Sequence, residues 1–327
     1  MSGLALLLKR SGAEITASDK NDSPTTKKGK KGLTVDFGSS YSFDQVNKLP
    51  DLQNTYGQGS GGGTFNSDGT VKAEGSFTTY VPGVSNGTPN SWGPKIGSTQ
   101  TPTAYDNADA YFQTGNTFSN NLSVSGGTDK STFRFSYSRA DQTGIIQNTS
   151  LERNTFRLSG ATGTDVLKVS GSVAYSLIND SKAQNGSNLS GVMLPLLRTP
   201  ASFNLIGGTG TGGYENLDGS QHTYIVNYDN PLWTAYHNPN TSDVGRFTGS
   251  ASVDYTPTNW LTLTYRIGTD MYNDARKQIF DLGSNNNGGI GEIWEANIKH
   301  QEINQDFLAR FTKGFGDINS SLVLGTQ

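Results

Sequence analysis

Apolar and polar residues alternate along much of the chain with a period of two. From Leu167 to Leu177, the positions Leu167, Val169, Val173, Tyr175 and Leu177 share one phase with Gly171. Lys168, Ser170, Ser172, Ala174 and Ser176 hold the other. Successive strand residues point to opposite faces, so the stretch predicts a strand with one apolar and one polar side. The rhythm recurs at Leu33–Phe43, Phe118–Val124, Phe133–Tyr137, Phe156–Leu158, Phe247–Tyr255, Leu261–Met271, Ile303–Phe311 and Leu322–Leu324. The chain therefore reads as an all-β antiparallel meander of about nine strands, with ends uncertain by a few residues.

Charges test the phase assignment. Asp36, Arg134, Arg157, Lys168, Arg246, Asp254, Arg266, Asp270 and Arg310 all fall on the polar phase. A cation on a lipid-facing position at mid-bilayer would cost roughly 2–4 kcal/mol, which such segregation avoids. It equally suits a soluble sheet with one buried face, and by alternation alone a soluble β-sandwich is the simpler reading.

The connections shift that balance. Tight turns are predicted at Gly126–Lys130, Thr162–Thr164, Thr256–Thr258 and Gly314–Asp317, rich in Gly, Pro and Asp. Longer connections lie between them, at about 45–115, 142–150, 179–243 and 273–289. In a meander this alternation gathers every short turn at one end and every large loop at the other, the arrangement of outer-membrane barrels. Unstructured loops beyond about 15 residues are otherwise uncommon.

Composition narrows the function classes. The 327 residues are 32% hydrophobic, and the formal net charge of −3 gives no basic surface for nucleic acid. Lys27–Lys31 is the one basic run and reads as a solvated linker. With no cysteine there is no disulfide framework or thiolate site, and His222, His237 and His300 are too scattered to predict a metal site. No run approaches the 18 apolar residues or more of a transmembrane helix, which says nothing against membrane strands. Lys9 and Arg10 follow the first apolar run rather than precede it, so no secretion signal is expected in this chain.

Several stretches in order resemble SusC/RagA-type TonB-dependent outer-membrane transporters. These are TTKKGKKG (Thr25–Gly32), KLPDLQNTYGQG (Lys48–Gly59), SWGPK (Ser91–Lys95), the run Thr114–Ser159 with its GIIQNT loop, DNPLW (Asp229–Trp233) and WLTLTYRIGTDMY (Trp260–Tyr272). The resemblance covers roughly residues 25–327. It implies a partial, open transmembrane β-barrel of the large plugged-transporter class. Residues 1–31 would be a remnant or replacement of the plug end and linker, and 32–327 the first part of the barrel. Residues 1–24 do not match the plug's last strand, and the TonB-contacting box, most of the plug and the later strands are missing, so an internal fragment is expected. The implied function is active import of oligosaccharides or peptides with a SusD-like surface lipoprotein. The TonB complex would act through the missing N-terminal part of the parent. The alternative is a soluble or surface β-sandwich that binds carbohydrate or protein.

No enzyme, cofactor or metal is predicted. GTGTGG (Gly208–Gly213) fits a dinucleotide motif only formally, because YENLDGS follows where a helix must begin. The pairs Asp218 with Glu215 and Asp106 with Asp109 read as polar loop residues. Candidate ligand or partner aromatics in the loops are Trp92, Tyr214, Tyr228, Trp233 and Tyr236, with Tyr80, Tyr105, Tyr111, Phe112 and Tyr224 nearby in sequence. Candidate lumen-facing cations are Arg134, Arg157, Lys168, Arg246 and Arg266. Tyr255 and Trp260 flank a tight turn and are candidates for the membrane-interface girdle.

Overall fold

The structure is a computed structural model, which describes residues 8–11, 32–59, 90–93, 95–97, 103–184, 189–315 and 318–327. Ten strands form one sheet in sequence order: β1 (Leu8–Ser11), β2 (Gly32–Val46), β3 (Gly115–Gly127), β4 (Ser131–Thr143), β5 (Ser150–Gly163), β6 (Leu167–Lys182), β7 (Asn240–Thr258), β8 (Leu261–Phe280), β9 (Glu292–Phe315) and β10 (Ile318–Thr326). Every neighbouring pair is antiparallel. The nine expected strands are β2–β10. The tenth, β1, is a four-residue strand that periodicity did not mark, paired against Phe43–Val46 of β2. Among the described residues β1 and β10 do not pair, so the sheet is open.

Short connections at 128–130, 164–166 and 259–260 alternate with long ones at 47–114, 144–149, 183–239 and 281–291. The first two turns share a device. Thr128 Oγ1 accepts from the backbone of Lys130 and Ser131, and Thr164 Oγ1 accepts from Val166 and Leu167. The hydroxyl thus replaces the partner that a tight turn denies those N–H groups. The third turn follows a register shift between Tyr255 and Thr258, where Pro257 is accommodated at a bulge. The turn expected over Gly314–Asp317 falls partly outside the described residues.

Directly paired residues of antiparallel strands share a face, so register lays the phases out as rows. One row reads Val35, Val124, Phe135, Leu158 and Val173; the row beside it on the opposite face reads Asp36, Ser123, Ser136, Arg157 and Ala174. Exposure is inverted relative to a soluble sheet. Along β6 the apolar phase Leu167–Leu177 is exposed throughout, while Ser172, Ala174 and Ser176 are half-buried. All eight buried hydrophobic residues among the described residues lie in the loops. The β-sandwich alternative is thereby overturned, since one sheet is present and its apolar face is uncovered.

The apolar belt has a sharp upper edge at the loop end. Phe37, Leu122, Tyr137, Phe156, Tyr175, Phe247 and Met271 form one row, with Tyr137 stacked on Phe156 at 4.8 Å. In the next row on the same face stand Asn120, Arg139 and Asn154, and above them Asp141, Glu152 and Asp243. Tyr137 donates to Asn154 Oδ1 at 2.7 Å, and Arg139 pairs with Asp141 and Glu152 at 2.7 and 3.2 Å. Charges are thus kept off this face only inside the belt.

The loops carry their own core. Tyr111 of α1 (Asn107–Tyr111), Leu196 of α2 (Met193–Arg198) and Leu232 of α3 (Pro231–His237) pack with Val192 and Leu205. Among the described residues no helix is long and apolar enough to cross a membrane.

Candidate functional site

Two surfaces carry the chain's polar chemistry: the polar face of the sheet and the loop cap above it. On the polar face the expected cations are all present, with different partners. Arg246 of β7 chelates the carboxylate of Asp270 on β8, and one of its two contacts, from Nε, measures 2.9 Å. Arg134 donates to Ser123 Oγ at 3.4 Å, and Ser123 donates to Asp36 at 3.3 Å. Arg157, Lys168 and Arg266 are exposed and make no ion pair among the described residues. Serine and threonine fill much of the rest and bond across strands, as Ser172 with Ser250 at 3.0 Å and Thr155 with Ser176 at 3.1 Å. On β8 and β9, Tyr272 stacks on His300 at 5.1 Å.

In the cap, Asp229 ties two loops that are distant in sequence. It is 1% exposed and accepts from Gln221 Nε2, Ser284 Oγ, Asn285 N and Asn285 Nδ2 at 2.6–2.8 Å. Asn230 follows as the N-cap of α3, accepting from Leu232 N, while its amide donates to Leu205 O and His222 O. Pro231 takes the first helical position, where its missing N–H costs nothing. This helix places His237 between Glu215, 2.5 Å from Nε2, and Asp281, 3.0 Å from Nδ1. The hydrogen bond from His237 holds the Asp281 carboxyl below the usual carboxylate range. Burial pulls the His222 imidazole below the ordinary histidine value, and its hydrogen bond to Asn204 O acts in the opposite sense. Burial pushes the Tyr111 phenol well above its ordinary value.

The five candidate loop aromatics separate on inspection. Trp233 is 2% exposed and stacks on His237 at 4.6 Å, so it belongs to the cap core and offers no face to a ligand. This corrects the sequence expectation, and α3 is the reason: it turns the indole inward. Tyr214 stacks on Tyr236 at 5.3 Å, and Tyr228 lies between Tyr224 and the Arg198 guanidinium. Trp92 is 67% exposed and Tyr236 is exposed at the edge of its stack. Tyr105 donates its backbone N–H to Ala201 O, Phe112 packs edge-on against Tyr111, and Tyr80 lies outside the described residues, as do Lys27–Lys31. At the turn end Trp260 stacks on Phe311 at 6.3 Å, and Tyr255 is exposed on the apolar face.

The remaining loop motifs are structural. GTGTGG forms a turn in which Gly213 (φ +73°) lies so near Ile206 O that a Cβ would approach it to 2.1 Å. Glu215 pairs with His237, Asp218 accepts from Ser220, and Asp106 caps α1. No group of residues among those described could hold a metal ion. Asp229, His237 and the Tyr272–His300 stack were missed by sequence reasoning. Of these only Asn230-Pro231, a cap followed by a first-turn proline, left a local signal.

No protein-family model matches the chain, and no curated protein matches it in sequence. Solved structures do. The RagAB peptide importer in its closed-closed state matches over 92% of this chain with TM-score 0.65 and 17% identity. The open-open state matches over 92% with TM-score 0.60 and 16% identity, and a further RagAB peptide transporter structure over 68% with TM-score 0.55 and 18% identity. This chain spans 35% of the length of the first two and 25% of the third. The chain thus shares the fold of a segment of these importer chains.

Proposed function

We propose that the chain is part of the wall of an outer-membrane β-barrel importer for peptides or oligosaccharides. It would work beneath a SusD-like surface lipoprotein and draw energy from the TonB complex. One observation carries the reading: the apolar face of the sheet is uncovered across nine strands, while the loops bury a core of their own. In water such a face would far exceed the apolar patch of a few hundred Å² that monomers expose. In a bilayer it meets the solvent it suits. Eleven strand residues such as Leu167–Leu177, at about 3.3 Å each and tilted near 45°, rise on the order of 25 Å, the height of the apolar band in such barrels.

The polar face is then the lumen wall, presenting Arg134, Arg157, Lys168, Arg246 and Arg266. The row containing Tyr137 and Phe156 is the outer aromatic girdle, and Tyr255 with Trp260 belongs to the opposite one. Tyr137 supports this reading, since its ring lies in the apolar row and its hydroxyl in the polar row above. Transport requires no catalytic group. The likeness to peptide importers favours peptides, and the wall's hydroxyls and amides suit either solute.

The test is fractionation with a membrane-impermeant thiol reagent on this cysteine-free chain. Outer-membrane recovery, labelling of Ser172→Cys and protection of Val173→Cys are expected. A soluble product with Val173→Cys labelled would sink the reading. Uptake of labelled peptides against labelled oligosaccharides, by cells with and without the protein, then separates the substrates.

A further inference from the structure

Arg134 of β4 lies opposite Ser159, and Arg157 of β5 lies opposite Ser136, so the two occupy diagonal positions on the polar face. Diagonal neighbours of an antiparallel pair are about 7–8 Å apart, within reach of long side chains. Arg153 stands on the same face of β5, four residues before Arg157. All three are exposed, and a guanidinium is always charged. Like charges held this close repel one another, yet among the described residues no carboxylate pairs with any of the three. Asp36 is reached only through Ser123.

Elsewhere the chain pairs its strand arginines. Arg246 has Asp270, Arg276 has Asp274, and Arg139 has Asp141 and Glu152. The surroundings of the triplet also differ. The cross-strand partners on β3 and β6 in the rows of Arg134 and Arg157 are Ser123, Ser125, Ser172 and Ala174. Only guanidiniums rise above a floor of hydroxyls and methyls. Another surface can therefore approach the sheet closely there, and whatever does so must supply negative charge or leave cations desolvated without a partner.

We propose that this patch seats a folded polypeptide body whose own carboxylates complete Arg134, Arg153 and Arg157. The proposal rests on the polar face being a lumen wall. A neutral oligosaccharide matches none of the charge, and a single peptide carboxylate matches one guanidinium of three. A protein surface bearing several carboxylates matches all of them, with the bidentate geometry that arginine favours.

Ser159 and Asn304 lie in one cross-strand row of the polar face, Ser159 beside the triplet and Asn304 on β9. In the full chain recovered from outer membranes, Ser159→Cys is expected to react with a sulfonated thiol reagent about tenfold more slowly than Asn304→Cys, because labelling must await opening of the covering body. Adding Arg134→Glu and Arg157→Glu should remove that protection, and Arg134→Lys with Arg157→Lys should largely keep it. Equal rates at Ser159→Cys and Asn304→Cys would overturn the proposal. So would protection indifferent to charge reversal, or protection lost on exhaustive dialysis, which would assign the patch to a small anion. Labelling of Val173→Cys would instead overturn the barrel reading, and this proposal with it.

Discussion

The loop cap and the sheet bury opposite things. In the cap, Tyr111, Val192, Leu196, Leu205 and Leu232 leave solvent, and the polar groups enclosed with them, such as Asp229 and Asn230, are hydrogen-bonded to backbone and amides. In the sheet, the leucines, valines and phenylalanines are uncovered, and the serines and alanines between them are the better-covered side chains. The same residue types thus take opposite positions within one chain. What decides is the medium beyond each surface, because the hydrophobic effect drives apolar area out of water and gives no reason to hide it from lipid.

The sharpest way to break this comparison is to make the same kind of change in both regions. Leu205→Ala, at a site 1% exposed, should cost the cap about 2–5 kcal/mol, because it removes transfer energy and leaves a cavity. Val173→Ala on the sheet should cost far less, since lipid chains fill the space. Proteolysis of the cap loops in membrane-embedded protein reads the first, and refolding into vesicles reads the second. Equal losses would mean that the apolar face packs against protein.

Charge gives the next largest effect. Val173→Arg should cost about 2–4 kcal/mol in a bilayer, while Ser172→Arg, one residue away on the wall, should cost little. Urea titration of the vesicle-embedded protein compares the two. A heavier penalty at Ser172 would reverse the assignment of faces.

Within the cap, Asp229→Ala leaves the donors of Gln221, Ser284 and Asn285 without their acceptor, at a cost of about 1–3 kcal/mol for each one that stays buried. Faster hydrogen exchange confined to the connections at 183–239 and 281–291, with the strands unchanged, is the expected result. Exchange spreading into β7 and β8 would show that cap and sheet are one cooperative unit.

These contrasts also explain what the sequence could and could not reveal. Alternation is a property of neighbours, so the phases of β2–β10 were legible, and loop lengths separated the two ends. Strand ends were not. After Met271 the apolar phase continues as Asn273, Ala275 and Lys277, so β8 looked finished although it runs on to Phe280 beyond the belt. The short strand β1 offers four residues, too few for a period. In the cap, Trp233 resembled a ligand platform because its burial depends on α3 docking against residues remote in sequence. Asp229 looked unremarkable because its partners Ser284 and Asn285 lie 55 and 56 residues away. Long-range pairing of side chains leaves no period to read.

The smallest expected effect is one the sheet should not share: a response of the cap to acid. His222 is buried, stacked on Phe203 at 4.6 Å, and its pKa is lowered by that burial. The unfolded loop therefore binds a proton, near the ordinary histidine value of about 6.5, that the folded loop resists. More protons on the unfolded state means that stability rises with pH, so this contribution is complete above about 6.5 and declines as pH falls below it. Asp281 acts lower. Its depressed pKa stabilises the cap above the ordinary carboxylate value of about 4, and that contribution is lost as pH falls through the folded value. The carboxylate is half exposed, so solvent screening keeps its share below about 1 kcal/mol. Protease susceptibility of the cap should therefore rise in two steps on acidification. His222→Phe should flatten the first step and Asp281→Asn the second, while hydrogen exchange of β4–β6 stays level across both. A cap equally resistant at pH 7 and pH 5 would show that His222 is solvated in the folded protein, and would remove burial as the cause of its shift.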